Sequence, residues 1–330
     1  MTSIRGHIDV HHHILPAEYV AAVGAGVIGS QGSSGRLPKW SESDSLDLMD
    51  AAGIASAVTS VSSPGLATLP AADAARLARC CNDLAAEMVS RHPTRFGMFA
   101  TVPMHDVDTA IAEVDHALDV LEAEGVCLLS SYDGRYLGDA AYLPLHEHLD
   151  ARGAVVFVHP TSPANPVDVA SMAPSMLEFT FDTTRTIASL LVSGTVAARP
   201  SIRWIFSHAG GALPYLAGRL EVLLRNNRRL GDGVGGDLRH LLRTLYFDTA
   251  LSADDVHFAA LRALVPDTQI LFGTDYPFGP PGQMADTVKR LNGLDLPPAT
   301  REAIHYGNAG GLFPRLVAPA PATRQRELHH

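Results

Sequence analysis

A chain of 330 residues with 46% hydrophobic and 18% charged side chains can bury a large core and is unlike a disordered composition. Its formal charge of −10 leaves no basic footprint for nucleic acid or an anionic membrane surface, and no apolar run approaches the roughly 20 residues of a membrane span. The start MTSIRGHIDV has one Arg and no long apolar stretch, and Cys80, Cys81 and Cys127 show no CxxC spacing. A cytoplasmic protein without a disulfide framework or thiolate zinc site is therefore expected.

Short apolar runs recur along the chain: HIDVH (7–11), IASAVTSV (54–61), RFGMFATV (95–102), GVCLLSS (125–131), AVVFVHP (154–160), IRWIFSH (202–208), TLYFDTA (244–250) and QILFGTD (269–275). Between them lie patterns such as AARLARCCNDLAAEMVSRHP and VDTAIAEVDHALDVLEAEG, with apolar residues at helical spacing and Gly or Pro near the ends. Near-continuous apolar strands suit a parallel sheet covered on both faces. Eight strand-then-helix units predict an α/β fold, a single (β/α)8 TIM-type barrel, over residues 1–316. No GxGxxG follows the first strand, which favours the barrel over an open doubly wound sheet; no organic cofactor is expected. Long irregular stretches follow strand one (24–43) and strand five (160–176). They leave from strand C-terminal ends, where barrel enzymes build their sites, and are expected to form lids or substrate walls. The Pro/Ala-rich segment 317–330 reads as a peripheral tail.

The polar residues at these strand ends carry the chemistry. Strand one ends in His11 and His13, strand five in His159, strand six in His208 and strand eight in Asp275. Residues two apart on a strand share a face, so His11 and His13 point together into the barrel mouth, and His12 points to the wall or helical layer. Two imidazoles from one strand, a third from the fifth and a carboxylate from the eighth suit Zn²⁺, with Mn²⁺ or Fe²⁺ as alternatives. Any one of these residues alone would more often be structural; their occurrence in order at strand ends gives the reading its force. The remaining histidines, His92, His105, His116, His146, His148, His240, His257 and His305, fall in helical or loop patterns and are expected at the surface. Trp40, Tyr132, Phe179 and Tyr276 are aromatic candidates for a pocket or, equally, for the core.

HIDVHHH, FVHP, FSHAGG and FGTDYPF resemble the four signature regions of the amidohydrolase superfamily across nearly the whole chain. The resemblance implies that His11, His13, His159 and Asp275 bind metal and that His208 is free to act as acid or base. Binuclear members place a carboxylated Lys at the end of strand four; here that region reads CLLSSY, which implies one metal. SHAGGALPYLAGR and GTDYPF are similar to amino-carboxymuconate semialdehyde decarboxylases, and DVHHHILP, LDLMDAAGI, HPTRFG and FVHPTSP to 6-methylsalicylate decarboxylases. By that resemblance Arg219 reaches a neighbouring subunit's site and binds a substrate carboxylate, which implies a homodimer; Tyr276 is a substrate-binding candidate from its loop position alone. Two departures stand out. The second substrate-binding Arg of the semialdehyde enzymes is replaced by Ser45, which argues against a dicarboxylic substrate. The Glu that resorcylate-type enzymes pair with the sixth-strand His is replaced by Gly211.

The expected function is metal-dependent, non-oxidative decarboxylation of a hydroxylated aromatic acid such as 6-methylsalicylate, with His208 or Asp275 delivering the proton to the ring. The same ligands could instead activate water against a lactone or amide, as a mononuclear hydrolase. A non-catalytic binder on a degenerate barrel is the remaining reading.

Overall fold

The computed structural model describes residues 6–235, 237–280 and 282–317. Eight strands form the sheet: β1 (His7–His13), β2 (Ile54–Ser60), β3 (Phe96–Thr101), β4 (Gly125–Leu129), β5 (Val155–His159), β6 (Arg203–Phe206), β7 (Tyr246–Asp248) and β8 (Ile270–Leu271). They pair in parallel in chain order, each to the next. The barrel closes where Val10 N–H donates to the Phe272 carbonyl at 2.9 Å, Asp275 N–H to His11 at 2.8 Å and His13 N–H to Tyr276 at 2.6 Å. Each expected apolar run forms one strand of the barrel.

One longer helix, of nine residues or more, follows each strand: α1 (Glu42–Ala52), α2 (Ala71–Arg91), α3 (Val107–Asp115), α4 (Leu143–Ala151), α5 (Glu178–Val192), α6 (Leu213–Arg225), α7 (Asp255–Leu264) and α8 (Gln283–Gly293). Local chemistry sets several of their starts. Ser41, Asp106 and Asp254 each precede a helix, and their side-chain oxygens accept otherwise unpaired N–H groups of the first turn, from Asp44, from Thr109, and from Val256 and His257. No helix among the described residues is long and apolar enough to cross a membrane.

Alternation along β5 divides the two cores. Val156 and Val158 pack against the helical layer, and Val155 and Phe157 fill the barrel interior. In β1 the alternation changes phase. Asp9 pairs with Ala57 and His12 with Thr59, so three steps on β1 oppose two on β2, a β-bulge. Ile8 and Val10 belong to the interior cluster, whereas Asp9 and His12 bond to one another behind the strand. The extra residue turns His11 and His13 into the mouth directly above Val10. The far end of the barrel is stopped by Leu312, Phe313 and Leu316, which pack on Ile8, Phe99 and Phe157.

The segment after β1 is more regular than expected, since it winds into short helices at Ala17–Val23 and Ala25–Gln31. The segment after β5 holds one 3-10 turn, Pro174–Met176. The expected tail lies, beyond Val317, outside the described residues. The surface expectation fails for His146. It lies on the inner face of α4 against Trp204, with ring centres 5.7 Å apart, and burial pushes its pKa down to about 4. His305 is half-buried against His7, while His105, His240 and His257 are exposed.

Phe313 is 1% exposed. Phe313→Ala is expected to lower stability by about 3–5 kcal/mol in urea unfolding, yet to leave metal affinity of the folded protein intact because the plug and the site occupy opposite ends.

Candidate metal centre

The barrel mouth gathers His11, His13, His159 and Asp275, with one ligand atom from each lying within 4.8 Å of all the others. His11 Nε2 and His13 Nε2 are 3.0 Å apart, and each is 3.2 Å from Asp275 Oδ1. Metal–nitrogen bonds of about 2.05 Å put neighbouring ligand atoms about 2.9–3.3 Å apart, from right-angled to tetrahedral geometry. The observed edges fall in that interval, and all four side chains are buried. The residues present therefore fit a single divalent cation.

Each imidazole is held by its other nitrogen. His11 Nδ1 donates to Asp248 Oδ2 at 2.8 Å, His159 Nδ1 donates to the Pro160 carbonyl at 2.8 Å, and His13 Nδ1 meets the Ser60 hydroxyl at 3.0 Å. Fixing Nδ1 in this way leaves the Nε2 lone pair for metal. Electrostatics divides the four groups. Burial works against the His11 cation, but Asp248 and Asp275 outweigh it and hold the pKa up at about 10. Burial pushes His13 down to about 4, and burial with the nearby His13 pushes His159 well below the ordinary range. Burial also opposes ionisation of Asp275, yet His11 and His13 override it and keep the carboxylate ionised. Three imidazoles and one carboxylate, with one imidazole holding a proton that a metal can displace, form a site in which metal and proton compete.

Two carboxylates missed from the sequence build this arrangement. Asp248, at the end of β7, accepts the backbone N–H groups of His208 and Ala250 on Oδ1, both at 2.9 Å, and the His11 ring on Oδ2. A second grouping, His11 with His208 and Asp248, also brings three ligand atoms together. Its Asp248 Oδ2 already accepts the His11 Nδ1 proton, so Asp248 orients His11 and does not compete for the metal. Asp9, behind the bulge, accepts His11 N–H and Thr274 N–H at 3.0 Å and the Thr274 hydroxyl at 2.6 Å. It thereby ties β1 to the loop that carries Asp275. The only hint of either in the sequence is an acid at a strand position, where solvation is the commoner reading.

His208 stands beside this centre, its ring 5.0 Å from that of His11. Its Nδ1 donates to the Ala250 carbonyl at 3.1 Å, which leaves Nε2 unengaged. His208 and Asp275 both have positive φ, 53° and 63°, a backbone cost of order 1–3 kcal/mol each that such sites hold in reserve. Gly211 also has φ +65°, and a Cβ there would collide with the Thr180 carbonyl. Glycine is thus required, and a His–Glu pair at this spacing is sterically excluded.

A cavity of about 220 Å³ opens beside the ligands, lined by His159 and Asp275 together with Gln31, Phe179, Leu251 and Phe278 among others. Phe179 was a candidate for the pocket or, equally, for the core. Phe278, edge-on to His13 with ring centres 5.6 Å apart, was not. Tyr276 lies half-buried over His12, outside the lining of this cavity, and faces the neighbouring groove. Tyr132 is packed in the core with its hydroxyl taking the Leu129 N–H, and Trp40 packs against the helical layer. Ser45 is buried under His12, 3.2 Å from its Nε2, so this position serves the wall. His12 behaves as expected. Arg219 is on the exposed face of α6, outside its own cavity. At the end of β4, where a bridging Lys would stand, Ser130 and Ser131 bond instead to Asp182.

Residues 8–315 match the amidohydrolase family, a span that contains every residue of the centre. The chain belongs to the amidohydrolase family. This amidohydrolase is 35% identical to the 6-methylsalicylic acid decarboxylase of Penicillium expansum, over 94% of its own length and 96% of the relative's. The crystal structure of an amidohydrolase II is similar to it with a TM-score of 0.86 and 28% identity, covering 93% of this chain and 99% of that one. A dihydroxybenzoic acid decarboxylase from Polaromonas sp. JS666, crystallised with manganese and the inhibitor 2-nitroresorcinol, shares the fold at a TM-score of 0.77 and 24% identity, over 94% and 97% of the two chains. Within the family the chain stands in the metal-dependent decarboxylase branch.

Asp248→Asn would turn an N–H toward His11 Nδ1 and drive the ring proton onto Nε2, where it opposes the metal. Metal affinity, measured by competition with a chelator, should fall about 10- to 100-fold with the fold intact; an unchanged affinity would remove the orienting role.

Proposed function

We propose that this amidohydrolase decarboxylates a hydroxylated aromatic acid, with 6-methylsalicylate as substrate, releasing CO2 and 3-methylphenol. The observation that carries the reading is the charge pattern of the cavity. Its lining includes no Lys or Arg; its charged member is Asp275, and its walls are Met176, Phe179, Leu251, Phe278 and Pro280. An aryl carboxylate placed there loses its water and finds no Lys or Arg among the described lining residues. Leaving as neutral, apolar CO2 relieves that cost. A divalent cation held by His11, His13, His159 and Asp275 would supply, as a Lewis acid, the charge that fixes and neutralises the substrate's oxygens.

The chain's own residues do the rest. Phe179 and Phe278 present ring faces and edges to an aromatic ring and exclude water. The reaction breaks the bond between the ring carbon and the carboxyl carbon, and a proton takes the carboxyl's place on the ring. Two observations bear on its carrier. Asp275 lines the cavity but is held ionised by His11 and His13, whereas His208, outside that lining, keeps an unengaged Nε2.

Zinc is our choice of metal, supported by three imidazoles and one carboxylate at edges that allow four-coordination; manganese, bound by the Polaromonas decarboxylase, is the competing ion. We propose a homodimer in which the partner subunit's Arg219 meets the substrate carboxylate. In support, α6 exposes Tyr215, Val222 and Leu223 beside Arg219, an apolar stripe suited to a second copy. Three free cysteines, two of them buried, suit the reducing cytoplasm proposed as its compartment.

In deuterium oxide, metal-loaded protein should convert 6-methylsalicylate to CO2 and 3-methylphenol carrying one deuterium between the hydroxyl and the methyl. Turnover of lactones with no CO2 from any hydroxybenzoate would contradict the reading and favour the hydrolase. His208→Asn should retain full metal content and lose about 10²- to 10⁴-fold in kcat; full activity would remove His208 from the chemistry.

A further inference from the structure

A second hollow, of about 740 Å³, lies against the metal cavity, and five residues line both: Gly32, Ser33, Phe278, Gly279 and Pro280. The two spaces are therefore separated by a wall one residue thick. One side of that wall comes from the segment after β1 and the other from the segment after β8. Among the described residues no hydrogen bond or ion pair crosses between Gly32–Ser33 and Phe278–Pro280. At this seam Gly32, a residue without a side chain, faces the Phe278 ring. A Cβ built on Gly32 would sit 3.7 Å from the Phe278 ring, so any larger residue there would narrow the seam.

The outer hollow has a largely apolar lining. Pro38, Leu48, Ala51, Ala52 and Met284 line it, with Arg36, Lys39, Asp44 and Asp47 around them. Leu48 is 44% exposed on α1, an apolar side chain offered to this space with nothing over it. A monocyclic acid carrying one methyl would not need such room.

We propose that the seam between Gly32 and Phe278 admits an apolar ring substituent, and that the outer hollow is a subsite for alkyl chains longer than methyl. The substrate class is then 6-alkylsalicylates, with the ring beside the metal ligands and the chain passing the Phe278 edge. This rests on the decarboxylase reading for the reaction, but the binding claim stands on the geometry alone. Each methylene buried in the hollow would favour binding by up to about fourfold.

Two readouts separate the claims. Calorimetric binding of 3-methylphenol and 3-pentylphenol to metal-loaded protein needs no turnover, and the pentyl compound should bind at least tenfold tighter. In Gly32→Val, which narrows the seam, and in Leu48→Glu, which puts a charge in the hollow, that preference should fall by tenfold or more. For catalysis, kcat/KM for 6-pentylsalicylate should stay within tenfold of that for 6-methylsalicylate, and the ratio should collapse in both variants. Equal or weaker binding of the pentyl compound, or a preference that survives both substitutions, overturns the subsite. Tight pentyl binding with no CO2 from either acid upholds the subsite and overturns the decarboxylase reading.

Discussion

The carboxylate of Asp248 is the constraint on which the site depends. One oxygen accepts the backbone N–H of His208, in the turn after β6, and that of Ala250, just after β7, and the other accepts the ring of His11. It therefore sets at once the position of His208, the tautomer of His11 and the charge that keeps His11 basic. No interaction of comparable reach is made by the ligands themselves. Because the group is fully buried and every acceptor bond is to a fixed donor, it has no alternative partner and gives the imidazole a single orientation.

A second constraint acts on β1. A strand in strict alternation cannot fill a barrel interior with Ile8 and Val10 and also send His11 to the same side. The bulge resolves this with one extra residue, and Asp9 holds it by taking donors from both His11 and Thr274. Packing below and ligation above are thus served by one seven-residue strand. The same Asp9 carries the closure of the barrel to Asp275, whose left-handed backbone is fixed between the His11 carbonyl and the turn that follows. Fold closure and assembly of the centre are one event, because the hydrogen bonds that join β8 to β1 also bring Asp275 to the three histidines.

Much of this was legible in the residues. Eight apolar runs announce eight strands because a parallel sheet covered on both faces needs them. His11, His13, His159 and Asp275 were visible because strand ends at one face of a barrel converge. What was hidden depends on three-dimensional context. Asp248 and Asp9 look like ordinary acids until the donors around them are seen. The bulge has no marker in HIDVHHH. His146 reads as a surface residue of a short helix because the inner face of α4 shows only in contact with Trp204. Phe278, and not Tyr276, meets the cavity, since two residues along a tight turn change direction in a way that no strand or helix period describes. The requirement for glycine at 211 became explicable only when the Thr180 carbonyl was found where a Cβ would go.

The most direct test is an anomalous diffraction map from crystals of the metal-loaded protein, collected at the metal's absorption edge. The account predicts one peak per chain, bonded to His11, His13, His159 and Asp275 through the three Nε2 atoms and one carboxylate oxygen. A peak among His11, His208 and Asp248, or two peaks in the barrel mouth, would contradict it.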